Sequence, residues 1–158
     1  MKVAKFGGSS LADANQIKKV VDIILTDDKR RIIVVSAPGK RLKEDTKVTD
    51  LLIALADSIL SGNDGSHELK IIIERFKGII EELSLSNELL DEINKDIKLR
   101  ISEDKSLSVK FKDGVKALGE DISAKIVAAY INSLGTKAKY VNPKEAGLFL
   151  SEEFGNAT

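Results

Sequence analysis

Four consecutive β-branched residues, Ile32-Ile33-Val34-Val35, stand one amphipathic helix away from a shorter apolar run that ends at Phe6. A continuous run of this kind suits a strand buried on both faces, and Arg31 to Ser36 reads as that strand. Between the two runs, Ile17, Val20, Val21, Ile24 and Leu25 recur at i, i+3, i+4, i+7 and i+8, one stripe of a helix that must pack on a sheet. Strand, helix, strand at this length is a βαβ unit, which predicts two parallel strands joined by a right-handed crossover. The chain is thereby confined to the α/β class, with ligands expected beyond the carboxyl ends of the strands. Two segments lie there: Gly7-Gly8 after the first strand and Ser36-Ala37-Pro38-Gly39 after the second.

The glycine pair is the more informative of the two. Adjacent glycines let the backbone turn sharply and point successive N–H groups outward with no Cβ in the way, a geometry that suits an anion such as phosphate. Lys5, the last polar residue before the turn, can bring its ammonium to the same spot. The spacing is neither the Walker pattern nor the Gly-x-Gly-x-x-Gly of dinucleotide folds. Taken alone it also fits a plain strand-to-helix turn, with Ser10 capping a helix from about Asp13 and Asp13 as the capping-box acid.

Charge and composition narrow the partners. Lys plus Arg and Asp plus Glu both number 25, so no net field draws the chain to nucleic acid or to an anionic membrane. Cysteine is absent, which excludes disulfides and thiolate metal sites. No apolar stretch approaches the roughly 18 residues of a membrane span, and the N-terminus lacks the apolar core of a secretory signal. A cytoplasmic location is the expectation. The 158 residues suffice for one domain, since about 150 residues bury roughly 70% of their unfolded surface. Aromatics are only 4% of the chain, so the core must be aliphatic.

Residues 38 to 47 form a polar loop of mixed charge, expected to be mobile and to serve either as a solvated face or as a flap over an anionic substrate. Thr49 then begins a helix with Val48, Leu51, Leu52, Leu55 and Ile59 on one side, ending at Gly62. Leu69, Ile72, Ile73, Phe76, Ile80 and Leu83 form a stripe from Ser66, and Leu90, Ile93, Ile97 and Ile101 form another after a break at Ser84 to Asn87, which predicts two antiparallel helices. His67, the only histidine, reads as an exposed residue rather than a ligand. A longer stripe, Leu107, Phe111, Val115, Leu118, Ile122, Ile126 and Tyr130, spans about Ser106 to Leu134. It runs through Gly114 and Gly119, each costing about 1 kcal/mol relative to Ala, and a glycine kept at that cost suggests close approach of something. Lys137 to Val141 alternates as a third short strand, and Asn142-Pro143 starts a turn and a short helix through Ala146. The segment Phe149 to Thr158 is weakly patterned and stops without a closing strand, as if the chain were cut there.

Lys5-Phe6-Gly7-Gly8-Ser9-Ser10 resembles the opening signature of aspartate kinases, members of the amino acid kinase superfamily, and Gly119-Glu120 followed by Ser123-Ala124 resembles that family's second substrate motif. The resemblance runs from Met1 to about Asn156. It implies a three-layer αβα sandwich with a mainly parallel sheet, the amino acid kinase fold, of which residues 1–158 are the helix-rich N-terminal, amino-acid-binding part. It implies phosphoryl transfer from ATP, carried with Mg2+, to the side-chain carboxylate of L-aspartate, giving 4-phospho-L-aspartate in the first step of lysine, threonine and methionine biosynthesis. By the same resemblance Lys5 contacts the transferring phosphoryl group. Gly7, Gly8 and Ser9 bind ATP phosphates or the acceptor carboxylate, and Ser36, Thr49 and Glu120 form the aspartate pocket. There Glu120 takes the α-ammonium and Thr49 donates to a carboxylate. The family's Arg-Gly-Gly-Ser-Asp type motif, its nucleotide-binding half and its ACT regulatory domains have no counterpart in the 158 residues. The chain alone is therefore expected not to turn over, and the complete protein is expected to be a homo-oligomer.

Other readings stand beside this one. On spacing alone, Glu120 is a helix-surface partner for Lys116, worth a few tenths of a kcal/mol, and Thr49 is a plain N-cap, with Leu52 where a capping box needs Glu or Gln. Within the superfamily the acceptor could instead be glutamate, acetylglutamate or carbamate, although Phe6 and Gly119-Glu120 argue for aspartate. A reading of another class is a non-catalytic module that holds an anion at Gly7-Gly8.

Overall fold

The computed structural model describes residues 1–151, 153 and 154, so the segment from Phe149 to Thr158 lies partly outside the described residues. The βαβ unit is present: β1 (Lys2–Phe6) and β2 (Arg30–Val35) pair in parallel, Lys5 opposite Val34 and Phe6 opposite Val35, with α1 (Ala14–Leu25) between them. The start of α1 differs from expectation. Gly8–Leu11 is a short 3-10 helix, and Asp13 rather than Ser10 is the N-cap of α1, its carboxylate accepting the Gln16 N–H at 2.9 Å. A capping acid three residues before a glutamine satisfies the orphan amide that a serine at position 10 lies too early to reach.

The sheet has one buried face. Phe6, Ile33 and Val35 pack on the core, whereas Val3, Ile32 and Val34 are 64, 44 and 46% exposed. Burial of β2 on both faces, expected from its unbroken β-branched run, is thus not found. Such a run reports strand preference, and what covers each side is decided by the other elements, which among the described residues lie on one side only.

Four more helices complete the described fold: α2 (Val48–Leu60), α3 (Ser66–Glu82), α4 (Asn87–Ile101) and α5 (Ser108–Ser133). The break before α4 falls where expected, Ser86 capping it by accepting the Glu88 N–H, and His67 is exposed. Helix α5, 26 residues long, packs on both α2 and α4 and touches β2. Leu52, Leu55, Ile72, Phe76, Ile80, Ile93, Ile97, Ile122 and Ile126 are fully buried, each such side chain contributing about 1.5 to 3 kcal/mol by leaving water. The core is mainly aliphatic, as the composition leads one to expect, with Phe76 and Phe111 buried in it.

Gly119 sits where α5 meets the end of β2. A Cβ there would stand 2.6 Å from Ala37 Cβ and 3.3 Å from Leu52 Cδ1, so the helix crosses at this distance only because position 119 has no side chain. Gly114 differs: a Cβ would meet the flexible Arg100 side chain at 3.4 Å, an ordinary contact.

The third strand predicted over Lys137 to Val141 is absent among the described residues, and the sheet has two strands. The alternation itself is real, with Ala138 and Tyr140 half-buried and Lys137, Lys139 and Val141 exposed. Its inward residues dock on α5: Ala138 exchanges two hydrogen bonds with the Asn132 side chain, at 3.0 and 2.9 Å, and the Tyr140 hydroxyl donates to Asp121. The two bonds at Ala138 occupy that residue's backbone N–H and C=O, which a ladder would need. The short helix expected after Pro143 is a single turn, closed by Ala146 N–H to Asn142 O at 3.0 Å.

Candidate active site

Parallel strands end together, so the loops that leave β1 and β2 run side by side. Ser36 N–H donates to Phe6 O at 3.2 Å, and Gly39 N–H donates to Gly8 O at 2.8 Å. The second bond brings two backbones into contact. A Cβ on Gly39 would stand 2.7 Å from Gly8 C, and one on Gly8 would stand 2.9 Å from Ala37 O, so both positions require glycine. Val48 N–H then donates to Pro38 O at 3.0 Å, which fixes the first turn of α2 beside the loops. Helix α5 completes the enclosure, since Glu120 follows the glycine that lets α5 approach Ala37.

The result is a cleft of about 480 Å3 walled by Gly8 and Ser9 from the first loop, Ser36 to Lys40 from the second, Lys47 and Thr49 at the start of α2, and Glu120 from α5. Five of the seven residues singled out in the sequence, Gly8, Ser9, Ser36, Thr49 and Glu120, therefore converge. Lys5 and Gly7 stand at its edge rather than on its wall. Lys5 leaves β1 on the open face, opposite Val34, and its Nζ lies 3.8 Å from the point a Cβ on Gly7 would occupy. The ammonium thus lies over the glycine turn.

Neither of the plainer partnerships is found, although Glu120 is exposed on α5. Lys116 pairs with Asp113 at 3.1 Å, not with Glu120. The N-cap of α2 is Lys47, with no side-chain capping bond, and Thr49 is the second residue of the helix and lines the cleft. A second depression of about 310 Å3 is lined by Asp91, Asn94, Lys95, Lys98 and Leu99, all of α4. A groove on one helix brings no distant groups together, whereas the cleft at the strand ends draws on four segments.

Sequence reasoning missed how the loop over residues 38 to 47 is held. It is pinned rather than loose. The Asp45 carboxylate accepts from Arg41 Nε at 2.7 Å, Arg41 Nη2 at 2.9 Å and the Arg41 backbone N–H at 2.9 Å, and from Arg75 Nη1 at 2.6 Å. Hydrogen bonds from the Arg41 guanidinium, ahead of the Arg75 charge, hold Asp45 far below the usual carboxylate range despite the opposing effect of burial. Arg41 is thereby occupied, while Lys40 and Lys47 reach the cleft wall. The available signal was Arg75 itself, a charged residue at stripe spacing between Ile72 and Ile79 on the buried face of α3.

A family model described as the amino acid kinase family matches residues 1–157. Aspartokinase 3 of Bacillus subtilis is 48% identical over 157 residues, covering 99% of this chain and 35% of that protein. Among solved structures, Clostridium acetobutylicum aspartate kinase superposes with a TM-score of 0.76 at 36% identity, covering 88% of this chain and 29% of the other. Escherichia coli aspartokinase III in complex with aspartate and ADP gives 0.80 at 25% identity, covering 98% and 34%. The chain spans about a third of the length of these relatives.

Proposed function

The chain belongs to the amino acid kinase family, and from that premise we propose that it is the amino-acid-binding part of an aspartate kinase. The observation that carries this reading is the convergence of Glu120 with Gly8 and Ser9 in one cleft at the ends of parallel strands. An amino-acid acceptor offers an α-ammonium and carboxylates together. Glu120, the sole acid on the cleft wall among the described residues, takes the ammonium. The Ser36 and Thr49 hydroxyls donate to the carboxylates, and Lys40 and Lys47 offset their charge.

The γ-phosphoryl of ATP lies against Gly7, Gly8 and Ser9, within reach of Lys5. A side-chain carboxylate oxygen of L-aspartate attacks the γ-phosphorus and forms the new P–O bond. The bond to the bridging oxygen breaks, and ADP departs with its electron pair, giving 4-phospho-L-aspartate. Nucleophile and leaving group are both anions, so no proton need move, and catalysis consists of alignment and charge compensation. Lys5 supplies part of that compensation where negative charge develops. The magnesium of this reading would travel with the nucleotide and offset the charge of its phosphates. The complete protein then serves lysine and threonine biosynthesis in the cytoplasm as a homo-oligomer, and no helix of the described residues is long and apolar enough to cross a membrane.

The test is an enzyme in which this chain is joined to the C-terminal two thirds of the Bacillus relative, assayed for ADP release with four acceptors. L-aspartate should support turnover, and glutamate, acetylglutamate and carbamate should not. Turnover with one of those three in place of aspartate would move the assignment elsewhere in the family. Tight anion binding by the 158-residue chain, with no turnover in the joined enzyme, would favour the non-catalytic module.

A further inference from the structure

Arg75 lies outside the cleft, yet it touches both loops that build it. Its Nη2 donates to Ala12 O, where the loop after β1 runs into α1, and to Gly39 O in the loop after β2, each at 2.8 Å, while Nη1 meets Asp45 at 2.6 Å. The Arg75 side chain is 4% exposed, and Ala12 and Gly39 are buried. We infer that Arg75, together with Asp45, is a positioning residue that sets the separation of the two loops and hence the form of the glycine cradle at Gly8 and Gly39.

Three features support this. A guanidinium taken out of water is costly, the buried Arg75 Nε has no hydrogen-bond partner, and buried ion pairs are often no more stabilising than apolar residues of similar volume. An apolar side chain would extend the Ile72, Phe76 and Ile79 stripe directly, so a buried arginine at this position contributes geometry. The planar fork of arginine can also hold two carbonyls and a carboxylate at fixed relative positions, which the single ammonium of lysine cannot. Finally, the anchored atoms adjoin the contact that closes the cradle: Gly39 carries the carbonyl held by Arg75 and the N–H that donates to Gly8 O at 2.8 Å.

Only the kinetic arm of the test rests on the kinase reading. In the 158-residue chain, Arg75→Lys and Asp45→Asn are compared with the parent by amide hydrogen exchange. The expected result is at least a tenfold loss of protection at the Gly39 amide, with amides in the middle of α1 and α5 unchanged. In the joined enzyme, the same variants should lose about 10- to 100-fold in kcat/KM for ATP, the usual consequence of misplacing groups by an ångström. Should Arg75→Lys fail to melt cooperatively, Asp45→Asn, which leaves the arginine in place, decides the matter by the same readouts. Unchanged Gly39 protection, or a uniform loss across all helices, overturns the inference, because a merely structural role lowers protection everywhere. If the joined parent enzyme does not phosphorylate aspartate while Gly39 protection still falls selectively, the clamp stands and the kinase reading fails.

Discussion

Glu120 reaches the cleft because Gly119 precedes it, and that dependence separates two effects that usually travel together. Gly119→Ala should gain about 1 kcal/mol in helix propensity. The new Cβ, however, would stand 2.6 Å from Ala37 Cβ, and overpacking of this kind costs about 1 to 3 kcal/mol. Since Ala37 is itself on the cleft wall, the helix must move away, carrying Glu120 with it. Urea unfolding should show a net loss of stability; a gain would mean that α5 does not depend on the close crossing. Glu120→Gln keeps the shape and removes the charge. In the joined enzyme it should weaken aspartate binding by about 1.5 to 3 kcal/mol, the range for a hydrogen bond to a charged group, and an unchanged KM for aspartate would take the α-ammonium away from this side chain.

The loop over residues 38 to 47 behaves as part of the fold through Asp45, and its contribution has a pH signature. The folded value of this carboxyl is depressed, by the Arg41 hydrogen bonds first. Its stabilisation is therefore complete above the ordinary carboxylate value of about 3.9 and is lost as pH falls below it toward the folded value. Unfolding measured between about pH 5 and 2 should show a steeper acid limb in the parent than in Asp45→Asn, whereas parallel limbs would mean that the ion pair is not felt by the folded chain. The loop also shows what could be read from the sequence and what could not. The βαβ unit and the four later helices were legible because each rests on short-range periodicity, and the turn at Gly7-Gly8 because two adjacent glycines mark it locally. The partners of Asp45 were not, since Arg75 lies on α3, far along the chain from the loop, and charge pattern alone does not say which basic residue in a loop is already engaged. The supposed third strand failed for a related reason: Lys137 to Val141 alternates as a strand does, but alternation is equally served by docking Ala138 and Tyr140 on α5.

Taken whole, the molecule presents an α/β unit with one sheet face covered by helices and the other carrying exposed Val3, Ile32 and Val34, in a chain that spans about a third of its relatives. The site lies at the end of that sheet, where residues from position 8 to position 120 meet. Such convergence could be anticipated for the two strand loops, because parallel strands put them at one end. It could not be derived for Glu120, which depends on how α5 crosses the sheet and was carried in the sequence only by a resemblance. The decisive measurement is a crystal structure of the joined enzyme with L-aspartate and a non-hydrolysable ATP analogue. The density should place the aspartate ammonium within hydrogen-bonding distance of the Glu120 carboxylate, with its side-chain carboxylate facing the γ-phosphate beside Gly8. Aspartate bound elsewhere, with Glu120 turned to solvent, would contradict it.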